Sequence, residues 1–289
     1  MVLEVVGLRK RYGDVVALDG LDLDVAAGEV VGLVGHNGAG KTTAMDVITG
    51  LVVPDAGKVR VTGVDALAAP RRARAMMGVA AQELQLYATA TVRQNLSLCA
   101  GLAGIRAGRR ARAITEVLDE LGLSELAGRP VMTLSGGQRR RAQAACALVG
   151  DPALLLLDEP TVGADPQTRA GLLAAVRRRA DAGAAVLYTT HYLPELVELD
   201  ASLAVMRAGR VVARDSQAAL LAGLPSRLVV RFADGGADGP RVIRTQDPGT
   251  TLAELASAGR RLRSIDVQHA TLDDLIVALG QGEEVRDAA

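Results

Sequence analysis

The sequence predicts an α/β protein: a mostly parallel sheet, a helical subdomain inserted into it, and a small C-terminal α+β appendage. Three observations predict it. Three short apolar runs lack the polar alternation of half-exposed strands, as parallel strands covered on both faces do. A stretch with helical spacing separates the first two runs. After about Asp215 the texture changes to short strand-like and helix-like segments divided by turn residues.

Composition bounds what such a chain does. Its 289 residues, 49% of them hydrophobic, supply one large domain and a smaller one. The formal net charge is zero, so no global basic field gathers nucleic acid, and no nucleic-acid partner is expected. Lys10, Lys41 and Lys58 are the only lysines among 33 basic residues, which singles out a lysine placed in a motif. Cys99 and Cys146 have no metal-ligand spacing and fit a reducing compartment. The opening MVLEVVGLRKRYGD is too charged for a signal peptide. The most apolar stretch, ACALVGDPALLLL, is broken by Asp151-Pro152, short of the ~20 residues of a membrane span. A cytoplasmic location follows as the expectation, with any membrane business conducted through a partner.

The first run, VVGLVG, ends at Gly35 and opens GHNGAGKTT, Gly35 to Thr43, which matches the G-x-x-x-x-G-K-[ST] phosphate loop between a strand and a helix. In such a loop the N–H groups around Gly35, Asn37, Gly38 and Gly40, with those of the helix start at Thr42 and Thr43, surround phosphates. Lys41 reaches the β and γ oxygens, and the Thr42 hydroxyl can ligate Mg²⁺. This makes the sheet domain a P-loop NTPase core. Residues 83 to about 150 then read as the inserted helical subdomain, RARAITEVLDELGL being its most regular helix. Within it LSGGQRRR, from Leu134, places three arginines near a helix start. The positive end of the helix dipole disfavours cations there, so an anion nearby is expected.

The second run, ALLLLDE, ends in two acids. One carboxylate can hold a metal and the next can accept a proton from an attacking water, so Asp158 is assigned to Mg²⁺ and Glu159 to general base. The third run, AAVLYTTH, ends at His191, which can reach a γ-phosphate from the same sheet edge. From residue 216 onward, RLVVRF, ADGGADGP and RVIR read as a β-hairpin. Helix TLAELASAG, strand RLRSIDVQ and helix TLDDLIVALG follow. The expected division is therefore 1–215 and 216–289.

In these residues the chain resembles the nucleotide-binding subunits of ATP-binding cassette (ABC) transporters over about residues 1 to 215. LSGGQ is the family's signature sequence. By the same resemblance Gln82 in GVAAQE is the Gln-loop residue and a Mg²⁺ ligand, Asp165 in VGADP the D-loop aspartate, and His191 the switch histidine. Tyr12 in KRYGD is the ring that stacks on adenine. The resemblance implies an ATPase dimer, of identical or different subunits packed head to tail. Each ATP is then bound by one phosphate loop and capped by the partner's Ser135, Gly136, Gly137 and Gln138. Two departures stand out: Val162 and Ala164 replace the usual D-loop residues, and Asp200-Ala201-Ser202 replaces the usual Cys-Asp-Arg triplet. ATVRQNLSLCAGLAGI after Gln82 resembles the stretch that meets membrane subunits. TLDDLIVALG partly resembles the final helix of type-2 drug and polysaccharide exporter ATPases. The resulting expectation is the motor subunit of an exporter, peripheral on the cytoplasmic face of the membrane and driving a separately encoded permease. A soluble ABC ATPase, for instance in iron-sulfur assembly, is the alternative.

Overall fold

The computed structural model describes residues 1–232, 240–257 and 262–280. The chain divides into two compact units, Met1–Arg214 and Asp215–Ala289.

The first unit opens with β1 (Leu3–Tyr12) and β2 (Val15–Val25), a long antiparallel hairpin. Along β2 the alternation is plain, with Leu21, Leu23 and Val25 buried between exposed Asp22 and Asp24. This is the pattern of a sheet with one wet face. β3 (Val30–Val34) leads through the phosphate loop into α1 (Lys41–Ile48). Next come β4 (Ala56–Val61), β5 (Val64–Asp65), α2 (Pro70–Arg74) and β6 (Met77–Ala80). A helical stretch follows, with α3 (Val92–Leu102), α4 (Ala107–Glu120), two 3₁₀ turns and α5 (Gly136–Leu148). The unit closes with β7 (Leu154–Asp158), α6 (Pro166–Asp181), β8 (Ala185–Thr189), α7 (Pro194–Glu198), β9 (Ser202–Arg207) and β10 (Arg210–Asp215).

Two sheets result. One has four strands in the order β2-β1-β4-β5; the other has six in the order β10-β9-β3-β8-β7-β6. In the second, β3 pairs parallel with β8 and β9, and β7 pairs parallel with β6 and β8. Every residue of β3, β7 and β8 is buried, which is why these three runs carry no polar alternation. The core lies between the two sheets around α1, where Leu3, Leu21, Leu33, Ile48, Leu156 and Leu187 pack in one cluster. Because β3, β7 and β8 are parallel neighbours, their C-terminal ends share one edge. That edge positions the site.

The second unit contains α8 (Gln217–Ala222), β11 (Ser226–Phe232), β12 (Arg241–Thr245), α9 (Pro248–Ser257), β13 (Leu262–Gln268) and α10 (Leu272–Gly280). Its sheet is antiparallel in the order β12-β11-β13, with Leu228 and Val230 buried on the central strand. The turn expected at ADGGADGP lies almost wholly outside the described residues. α8 was not anticipated. Ser216 caps it by accepting from Ala219 N–H at 3.2 Å, an N-cap signal that the sequence carries openly.

Among the described residues, no helix is long and apolar enough to cross a membrane.

Candidate active site

The loop after β3 is shaped by its glycines. Gly35 and Gly40 have φ of +154° and +104°, and a Cβ there would lie 2.4 Å from Met206 O and 2.5 Å from Ala17 O respectively. Side chains are thus excluded on both steric and conformational grounds. Gly40 caps α1 with no side chain of its own, which leaves the N–H groups at Lys41, Thr42 and Thr43 open to an outside acceptor. Asn37 and Gly38 form the exposed rim. Lys41 Nζ folds back over the loop and donates to Gly35 O at 2.6 Å and His36 O at 3.1 Å. Burial pushes its pKa below the usual lysine value, against the opposing charges of Asp158 and Glu159. Carbonyls alone hold a cation weakly, so an anion in the loop would be the better partner.

At the end of β7, Asp158 is buried and accepts a hydrogen bond from Thr189 Oγ1 of β8. Glu159 follows in a left-handed conformation, φ 50°, which is uncommon for a non-glycine residue. Its N–H is held by Thr189, to the carbonyl at 3.1 Å and the hydroxyl at 3.2 Å. The turn aims the Glu159 carboxylate at His191, whose Nε2 lies 2.8 Å from Oε1. The structure therefore brings together Lys41, Asp158, Glu159 and His191, from the three strand ends and the loop. Thr189, which pins both acids, was missed in the sequence; the only signal was its place just before His191.

A cavity of about 290 Å³ joins Thr42 and Asp158 to Gln82, with Asp46, Glu83 and Gln85 on its walls. Burial raises the Asp46 pKa above its ordinary 3.8, and the charges of Asp158 and Glu83 raise it further. Asp46, on the inner face of α1, was also missed. The segment around Gln82 is gripped by α5. Gln143 Nε2 donates to Ala81 O at 2.8 Å and Glu83 O at 2.9 Å, and Arg140 Nη1 donates to Ala81 O at 3.3 Å. This corrects the reading of the arginine run: Arg140 serves a backbone carbonyl, and Arg141 does the same at Leu121 O, 3.4 Å away. The run begins at Arg139, past the first turn of α5, so the dipole argument for an anion does not apply to it.

The signature residues stand apart from that cavity; Ser135, Gly136, Gly137 and Gln138 do not line it. They start α5 with a capping box: Gln138 N–H donates to Ser135 Oγ at 3.3 Å, and Ser135 N–H donates to Gln138 Oε1 at 3.0 Å. Gly137 lies against the D-loop of its own chain, where a Cβ would come 2.9 Å from Gly163 O. Asp165 caps α6, accepting from Thr168 N–H at 2.9 Å and Thr168 Oγ1 at 2.6 Å, bonds that lower its pKa. Tyr12 is exposed at the tip of the β1–β2 hairpin with Lys10 Nζ 5.4 Å from its ring centre. The same hairpin touches the phosphate loop through Ala17 and Leu18, beside Gly40.

The residues present fit a magnesium nucleotide. Open N–H groups, a lysine and a glycine cradle suit the phosphates. A hydroxyl, an amide oxygen and a carboxylate in a cavity crowded with negative charge suit a hard, oxygen-preferring cation.

Comparison with known proteins supports the nucleotide. The profile of the ABC transporter family matches residues 18–162. The daunorubicin resistance ATP-binding protein DrrA2 of Streptomyces coeruleorubidus is 36% identical, with 98% of this chain and 97% of that protein aligned. The linearmycin resistance ATP-binding protein LnrL of Bacillus subtilis (strain 168) is 34% identical, covering 81% of this chain and 76% of that protein. A solved ATP-binding subunit of an ABC transporter superposes with a TM-score of 0.72 at 28% identity, covering 76% of this chain and 92% of that one. Fold, loop geometry and kinship along nearly the whole length converge, and the chain belongs to the ABC transporter family as an ATP-binding subunit that hydrolyses ATP.

Proposed function

We propose that this ATPase is the motor of an exporter, peripheral on the cytoplasmic face of a membrane and driving a separately encoded permease. The resistance roles in the names of its relatives support export. In this reading residues 1–215 form the motor, residues 216–289 an accessory module, and 83–150 a helical subdomain that meets the permease. Two subunits pack head to tail. The phosphate loop and Tyr12 of one hold ATP, while Ser135, Gly136, Gly137, Gln138 and Asp165 of the other complete the site.

Thr42, Gln82 and Asp158 would hold Mg²⁺, which when bound offsets charge on the phosphate oxygens. Glu159 accepts the proton of the attacking water, and Lys41 leaves the loop carbonyls for the phosphates. His191 keeps the Glu159 carboxylate oriented and faces the γ-phosphate. The observation that carries this assignment is the 2.8 Å contact of His191 with Glu159, beside a buried Asp158.

Glu159→Gln keeps size and polarity but removes the proton acceptor. Turnover should fall roughly 10²-fold to 10⁴-fold with ATP affinity retained, so that ATP-bound dimers accumulate on a sizing column. Near-normal hydrolysis would return Glu159 to a structural role. Isolation of the native chain from membranes with a multispan protein tests the export half; recovery solely as a free ATPase would overturn it.

A further inference from the structure

Behind the catalytic edge sits a buried carboxylate that nothing above uses. Glu195, in α7, is 1% exposed. Its Oε1 accepts a hydrogen bond from Thr161 Oγ1 at 2.6 Å, and its Oε2 accepts one from Tyr188 OH at 2.9 Å. Arg169 Nε of α6 lies 3.2 Å from Oε1, close enough for an ion pair but not aligned as a hydrogen bond. The Arg169 guanidinium in turn covers the ring of Tyr192, 4.5 Å from its centre.

These partners come from two chain segments. Thr161 and Arg169 belong to the stretch running from Glu159 through Asp165 into α6; Tyr188 and Tyr192 flank His191. Tyr192 is held three ways: its N–H donates to Thr190 Oγ1 at 2.9 Å, its carbonyl accepts from Glu195 N–H at 3.1 Å, and Arg169 covers its ring. A carboxylate is costly to bury, and this one has each of its side-chain partners on one of the two segments that meet at the His191–Glu159 contact. Burial, reinforced by the charge of Glu195, holds the Tyr188 pKa far above its usual value, so Tyr188 remains a neutral donor.

We propose that Glu195 is a positioning residue for hydrolysis, clamping the segment of Glu159 and Asp165 to the segment of His191 through Thr161, Arg169 and the Tyr192 ring. The inference rests on the roles given above to Glu159 and His191. Small misplacements of catalytic groups cost much rate, so loosening the clamp acts chiefly on kcat, because the phosphate loop and Tyr12 that hold ATP lie elsewhere.

The test is steady-state ATPase kinetics of the full chain. Glu195→Gln keeps the shape and the Thr161 bond but removes the charge that holds Arg169. The expected result is a loss of kcat of about tenfold to a hundredfold with KM for ATP within about twofold of wild type. Should that variant fold poorly, Tyr192→Leu removes the half-exposed ring without entering the core. It should give the same split, with Tyr192→Phe recovering the lost kcat. Unchanged kcat in a folded Glu195→Gln chain, or in Tyr192→Leu, overturns the proposal, as does a parallel rise in KM. Glu159→Gln run alongside separates the two ideas. If it stops turnover while the Glu195 and Tyr192 variants do not, the clamp alone fails; if it does not stop turnover, the underlying assignment fails.

Discussion

Tyr12 is a half-exposed ring, and in isolation nothing distinguishes it from any surface aromatic. Its place on the hairpin that abuts the phosphate loop makes stacking on adenine testable. Tyr12→Ala should weaken ATP binding by about 1 kcal/mol, several-fold in Kd by equilibrium binding, while Tyr12→Phe keeps wild-type affinity. Asp46 gives a second residue-scale prediction. Its pKa is raised in the folded state, so the folded protein binds that proton more tightly than the unfolded chain. The resulting penalty is fully present above the raised folded value and vanishes below the ordinary 3.8. Asp46→Asn should therefore raise the Tm of the magnesium-free protein at pH 7. Melting curves taken toward acid should show that gain shrinking. Neither Asp46 nor Thr189 was legible in the sequence, because each matters through a neighbour on a different element. Asp158, Glu159 and His191 were legible because each sits in or just after a buried strand's C-terminal end, and Lys41 because it stands in the phosphate-loop motif.

At the scale of elements, the parallel strands β3, β7 and β8 declared themselves by losing alternation, whereas the parallel β6 and β9 went unread, as did β1, β2 and β4. On β1 the alternation is interrupted by Gly7 and by register shifts near Leu8 and Arg11, which blur a period of two, and on β2 it is clear only over the short stretch from Leu21 to Val25. α5 was recognised by its first residues, yet its second and third turns do something sequence spacing cannot show. Gln143 lies 60 or more residues from the carbonyls it holds, and its partners are main-chain atoms with no side-chain identity to read. Gln143→Leu fills similar space but strands Glu83 O and leaves Ala81 O with the longer bond from Arg140 Nη1. It should lower stability by about 1–3 kcal/mol in denaturant melts. It should also raise the Mg²⁺ concentration needed for half-maximal ATPase activity, since the Gln82 segment loses its anchor.

For the whole molecule, the separation of the signature residues from the chain's own cavity sets up the decisive experiment on assembly. Lys41→Ala disables the phosphate loop and Ser135→Arg obstructs the start of α5, so each homodimer should be nearly inert. When the two are co-expressed, random pairing makes about half the dimers mixed, and each mixed dimer carries one site with both lesions and one with none. Activity or ATP-dependent dimerisation should return; failure in both, with mixed dimers demonstrated, defeats the shared site. The grip of α5 on the Gln82 segment carries a consequence for such a dimer. In the head-to-tail reading, one helix would present its N-terminus to the partner's nucleotide and, in its second and third turns, restrain the Gln82 segment of its own chain. Occupancy of either site is then felt at the other through a few residues of backbone. ATP saturation curves should be sigmoidal, with a Hill coefficient above one that Gln143→Leu brings back toward one.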